Sequence, residues 1–520
     1  MPFHRRPQIP IERSLVILRD TKAQGVHDPD QLFGLGVAGP GIDLEHRAGL
    51  GIGARLHQVT RLFHIGLRRS RTPQQSCTDV RTGSVRLVYA IHTALLGLVF
   101  GANLASAQVI TADDYIPVDL DQARIGQLLF YDKILSGNKN ISCGTCHHHD
   151  HAGGDGLSLG IGEGGVGVGP ARTPGTGADL IRKRIPRNAP SLWNLGHNSV
   201  STLFHDGRLS ISDIYGNGYD TPAEEWLPRG LATPLAAQAL FPMVAQFEMA
   251  GNPRENEIAG ATHDRIDVAW PIIAKRVRTI PEYGAMFVQA FDHIEEPADV
   301  TIVEIGNALG AFIASEWQSY DSPYDAWLAG TPLPEDAERG RQLFFNIGCA
   351  SCHSGPLLTD QDFHSIGLPA FGPGRTRQWD PIPRDVGRMG ETNLLEDAYK
   401  FRTPSLRNVA LTAPYGHNGA YPTLAAIILH KANPDAARAA WTPDMANLPA
   451  VPRLAAVDFA IREDGAEMQR QAAVQDLPTM DMSESQIADL VAFLNALTGE
   501  TALNRPLGRP ASVPSGLPVD

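Results

Sequence analysis

Two stretches of the chain repeat one pattern of small and apolar positions. Ala123, Gly126, Leu129 and Phe130 recur three and four residues apart ahead of Cys143, and Ala337, Gly340, Leu343 and Phe344 do the same ahead of Cys349. That spacing sets one face of an α-helix, with small residues where another group comes close. A third periodic segment, Ser483 to Gly499, opens with a capping box at Ser483 and Gln486. It carries a stripe of Ile487, Leu490, Val491, Leu494 and Leu497, is expected to close on Gly499, and should pack against the second repeat. Glycines crowd residues 153 to 169, which cannot supply a core and so predict a wrapping or mobile loop. Residues 436 to 482 show no clean period. The pattern predicts two mainly α units with long irregular loops, joined near Asp321 to Pro334, where turn residues cluster.

One apolar run departs from this. Residues 85 to 107 have a short basic beginning at Arg86, an apolar middle and an Ala105-Ser106-Ala107 ending, which reads as a secretory signal peptide cleaved before Gln108 and not as a membrane span. The expectation is an exported, periplasmic protein whose start is assigned too early, with Val85 as the true initiator; a genuine extension is the alternative. Residues 1–107 are then a leader, 108–325 a first domain and 326–520 a second.

Composition changes the picture only through that leader. The chain is 43% apolar and 19% charged, as soluble globular proteins are. Without the leader's 13 basic and 7 acidic residues, 31 basic face 50 acidic ones, a net charge of −19. Such a surface argues against nucleic acid and suits either a basic redox partner or plain solubility. Cys77 falls in the leader, and the four remaining cysteines form two identical arrangements.

Those arrangements are Cys143-Gly-Thr-Cys146-His147 and Cys349-Ala-Ser-Cys352-His353. In each, two thiols can add to the vinyl groups of one porphyrin while the next histidine binds its iron. Zinc would need four ligands converging from paired cysteines, whereas here each pair is followed at once by histidine. Two covalent haem c groups are therefore expected, in two cytochrome c-like helical haem domains.

The flanking residues resemble the bacterial di-haem cytochrome c peroxidase and MauG superfamily. The resemblance rests on Arg187-Asn-Ala-Pro190, Phe204-His-Asp-Gly-Arg208, Gln238 ten residues before Glu248-Met249, the run Phe401 to Ala410, and the run Leu411 to Gly419. It implies a peroxide-reactive haem on His147 and an electron-relay haem on His353. It also implies Glu248 as the carboxylate that moves a proton between peroxide oxygens, with Gln238 hydrogen-bonded beside it, and a calcium ion at Asn188, Thr412 and Pro414. Members are often dimers, though no interface is visible in the sequence.

Three positions depart from the family. Glu163 stands where a histidine caps the resting first iron, so that iron is expected to be open; His148, His149 and His151 could substitute, but read better as a solvated run. His205 stands where the family has a tryptophan between the haems, and Trp193 is either its replacement or core packing. The family's sixth ligand to the second iron, methionine or tyrosine, falls at His430 or Lys431. Removing a proton from lysine at pH 7 costs roughly 4–5 kcal/mol, which favours His430 and a bis-histidine relay haem, with His417 a rival. The leading function is a periplasmic peroxidase reducing hydrogen peroxide with electrons from a small cytochrome c or cupredoxin. A MauG-like oxidase of a partner protein and a non-catalytic electron carrier are the alternatives.

Overall fold

The computed structural model describes residues 109–375 and 382–520. The expected signal peptide and Cys77 lie outside them. No helix among the described residues is long and apolar enough to cross a membrane.

Helix α1 (Leu120–Tyr131) starts at Asp119, whose side chain accepts from the Asp121 and Gln122 amides. It packs on α2 (Ile302–Glu316), which opens with a Thr301/Glu304 capping box. A Cβ on Gly126 would overlap the Ala308 carbonyl, so the glycine is what lets the two backbones meet. The second repeat does the same: α3 (Glu335–Asn346) crosses α5 (Glu484–Asn495), with Gly340 against the Asp489 carbonyl. Between them in sequence, α4 (Leu424–Ala432) begins at Thr423 and also packs on α5.

Strands are short. β1 (Thr202–Leu203), β2 (Leu209–Ile211) and β3 (Tyr219–Asp220) form an antiparallel sheet in that order, with Thr202 opposite Ser210 and Ser210 opposite Asp220. β4 (Phe363–His364) pairs antiparallel with β5 (Phe401–Arg402).

The apolar interior has two large clusters. One runs from Ile110 to Trp317, and the other from Tyr324 to Leu497. Leu357 sits in the first cluster, and two longer segments also cross over. Leu159, from the glycine-rich loop, belongs to the second cluster, and Leu157, Leu159 and Ile161 are fully buried, so the loop wraps. Residues 500–520, counted with the second half in the sequence, pack on the first cluster through Ala502 and Val513.

The expected close on Gly499 is corrected. The helix stops at Asn495 with Ala496 as its cap, and Gly499 has an ordinary φ of −84°. Its amide donates to Asn408 Oδ1 at 2.9 Å, tying the helix end to the Phe401–Ala410 run.

Candidate functional site

The first cysteine pair lies on one helical turn, Cys143–Cys146, closed by a hydrogen bond from the Ser142 amide to Thr145 Oγ1 (2.9 Å). His147 follows at once, with Nδ1 2.9 Å from the Gly153 carbonyl oxygen. A carbonyl can only accept, so Nδ1 carries the ring proton and Nε2 keeps its lone pair. Gly153 has φ +81° and its Cα faces the Trp317 ring, two reasons for glycine there.

The second site repeats the device. Gly348, at φ +103°, leads into the turn Cys349–Ser351, and His353 Nδ1 sits 3.0 Å from the Leu358 carbonyl oxygen. Burial, helped by the Lys431 charge, pushes the His353 pKa down to about 3, so its ring is neutral. None of the four described cysteines is in a disulfide. Paired thiols beside an oriented, neutral imidazole are the donor set a covalent haem takes.

In front of His353 opens a cavity of about 460 Å³. Its walls include Leu424, Ile427, Ile428 and Lys431 of α4, Leu490 and Leu494 of α5, and the Met480 to Met482 stretch. It extends to Trp193, Asn188 and His205. An apolar space of this kind fits a haem.

The surroundings of the first site are charged. Glu248 lies half-buried on a π-helical turn, Gln246–Ala250, a distortion that recurs at functional sites. Burial pushes its carboxyl above the usual range, and Arg208 and Arg375 pull it back. Burial raises the Cys146 thiol to about 12, with Asp155 and Glu248 adding and Arg172 opposing, so these groups surround the attachment turn. Asp206, wholly buried, gathers Arg187 (2.6 Å), Arg208 (3.1 Å) and Arg375 (2.5 Å). Burial alone would raise its carboxyl, yet the three guanidinium groups hold it well below the usual range.

Several sequence expectations are corrected. His430 is fully buried with both ring nitrogens engaged: Nδ1 meets the Tyr421 hydroxyl at 2.9 Å and Nε2 the Ile366 carbonyl at 2.7 Å. The carbonyl claims the ring proton and the hydroxyl claims the lone pair, which leaves nothing for iron. His417 stacks on Phe401 with ring centroids 3.5 Å apart. The histidine run is not solvated. His148 is buried against the Asp520 carbonyl (3.3 Å), and His149 lies between Glu316 (3.0 Å) and the Tyr131 hydroxyl. Gln238 has no hydrogen bond to Glu248 among the described residues; it lies on the Pro234–Ala239 helix and Glu248 on the π-turn that follows.

Other candidates are located as follows. Glu163 is held by the side-chain amides of Asn138 and Asn140, both at 2.8 Å. His205 Nε2 meets the Asn188 carbonyl at 3.1 Å, and burial with Arg187 pushes its pKa down to about 4. Trp193 is buried, donates to the Ala152 carbonyl (3.1 Å) and stacks on Trp317. Asn188, Thr412 and Pro414 share one stretch of cavity wall, and the Asn188 amide donates to the Leu157 carbonyl (2.7 Å), which leaves its Oδ1 for a cation. These neutral oxygens are acceptable to calcium.

Sequence reasoning missed Arg172, Asp155 and Arg375. Arg172 ties the glycine-rich loop by bonds to the Ile161 (2.6 Å) and Gly162 (2.8 Å) carbonyls. Asp155 Oδ2 is buried without a hydrogen-bond partner, and burial pushes that carboxyl up to about 6. Arg375 has no local motif, and only the fold brings it to Asp206.

Comparison with known proteins agrees with this geometry. Residues 121–332 match the family described as di-haem cytochrome c peroxidase. The cytochrome c551 peroxidase of Nitrosomonas europaea is 30% identical over 343 residues, 64% of this chain and 81% of that protein. The methylamine utilization protein MauG of Methylophilus methylotrophus is 26% identical over 79% of this chain and 95% of its own length. Among solved structures, a MauG-like protein associated with microbial copper homeostasis superposes with a TM-score of 0.52 at 27% identity, over 79% of this chain and 99% of its own. Two oriented histidines, two cysteine pairs and these relatives together make the chain a member of the di-haem cytochrome c peroxidase and MauG family, an oxidoreductase with two haem cofactors.

Proposed function

We propose that the protein is a periplasmic peroxidase that reduces hydrogen peroxide to two waters, using two electrons from a small cytochrome c or cupredoxin and two protons. The observation that carries this reading is Glu248, a half-buried carboxyl beside the first attachment turn with Arg208 and Arg375 acting on it. Cys143, Cys146 and His147 would hold a haem, whose iron would supply the redox chemistry of peroxide cleavage. Glu248 takes the proton from one peroxide oxygen and returns it to the other, while the arginines steady the negative charge that develops. Electrons enter at the His353 side, where the apolar wall excludes water. Trp193 lines that cavity and stacks on Trp317 (6.0 Å), which meets His149 edge-on (4.5 Å); this row takes over from the indole absent at His205.

Glu248→Gln should lower kcat for peroxide reduction by about 10²–10⁴-fold with haem content unchanged. Full activity in that variant would sink the peroxidase mechanism as drawn. One observation favours a second reading, a MauG-like oxidase of a partner protein: Glu163 is held by two amides, which suits a first iron open at rest. An oxidised form that persists after peroxide when no small donor is present would favour the oxidase; rapid turnover with a donor favours the peroxidase.

A further inference from the structure

We propose that Lys431, through its neutral amine, is the sixth ligand of the iron that His353 binds. The inference rests on the di-haem reading of the second site and concerns that iron alone. Helix α4 turns Leu424, Ile427, Ile428 and Lys431 onto one wall of the cavity that Cys349, Cys352 and His353 also bound. These positions are spaced as one helical face, i, i+3, i+4 and i+7, so Lys431 lies a full two turns along the stripe from Leu424.

The neighbouring residue cannot take the part. His430 points off this face and spends one ring nitrogen on Tyr421 and the other on Ile366. Those two bonds fix the rotation of the helix end, and it is that rotation which delivers Lys431 to the cavity. His417 is stacked on Phe401. Met480, Met482, Tyr415 and His364 also border the cavity and are the remaining competitors, but none of them lies on the helix that faces the attachment turn, and His364 Nε2 is engaged by Asp360 (2.9 Å). Ligation forms one Nζ–iron bond and releases one ammonium proton to solvent, with no change in oxidation state.

The test uses the oxidised holoprotein, with EPR and near-infrared magnetic circular dichroism. The wild type should show a low-spin iron with two nitrogen ligands and no sulfur-to-iron charge-transfer band. Lys431→Ala should convert that signal to high spin. Lys431→Met, close to lysine in length, should introduce the sulfur band and raise the potential of the second haem, while His430→Gln should leave the low-spin signal in place. A sulfur band in the wild type, an unchanged low-spin signal in Lys431→Ala, or its loss in His430→Gln alone would overturn the assignment. Because these spectra need no turnover, the ligand assignment can be decided even in a protein that proves inactive toward peroxide.

Discussion

The two attachment sites are built alike on one side and differ on the other. In each, a helix with a glycine pressed on a partner backbone leads to a cysteine pair, and a backbone carbonyl holds the histidine Nδ1. Around the first stand Glu248, Asp155, Arg172 and the arginines on Asp206. Before the second stands an apolar helix face with a single amine. On the proposed function the shared half serves attachment and the unshared half the use of each iron: acid–base chemistry needs charges poised to move, whereas a relay is best left dry and rigid.

The largest way to break this contrast is to remove its central charge. Asp206→Ala removes the carboxylate that three guanidinium groups share, leaving Arg187 with Asp385, Arg375 with Glu391 and Arg208 without its ion pair, and should cost about 3–5 kcal/mol, read by denaturant unfolding. Asp325 serves a single guanidinium group, Arg407 (2.6 Å), on the second cluster, so its removal should cost less. Equal losses from the two would mean that the first site's charge cluster is not a unit.

A smaller effect should come from the shared half. Gly126→Ala and Gly340→Ala each push a Cβ into a facing carbonyl, and each should cost about 1–3 kcal/mol by thermal unfolding. Similar values would support the equivalence of the two helix crossings, and a neutral result at either would break it.

The smallest prediction concerns the boundary between the sites. Burial holds His417 down to about 3, against about 6.5 when unfolded. The unfolded chain therefore takes up the proton first, so stability present above pH 6.5 is lost as pH falls toward 3. Between pH 7 and pH 6 the part due to His417 is about 0.7 kcal/mol. His417→Gln should flatten the melting temperature against pH by that amount, and an unchanged slope would show that His417 is exposed in solution.

The attachment turns and the helices before them were legible because each is written locally, in spacing of two to four residues, whereas Glu248 was singled out only by the family resemblance. The choice between His430 and Lys431 was not legible. It turns on Tyr421 and the Ile366 carbonyl, one nine and the other 64 residues away, which claim the histidine before iron can. The stripe Leu424, Ile427, Ile428, Lys431 was present in the sequence, but His430 falls too near it for periodicity to decide. The burial of His148 and His149 was hidden for the same reason, since their cover arrives from Glu316 and Asp520.

That cover has a consequence for how the protein is made. Residues 500–520 are stitched to the first attachment region: Arg505 to the His149 carbonyl (2.7 Å), Asp520 to Lys133 (2.5 Å), to Thr145 and to His148. Contacts 356 to 387 residues apart close late in folding, because the chain between them must first be synthesised and ordered. The first cysteine pair thus emerges early but is sealed last. Until residues 500–520 arrive, Thr145, His148 and His149 lack those partners.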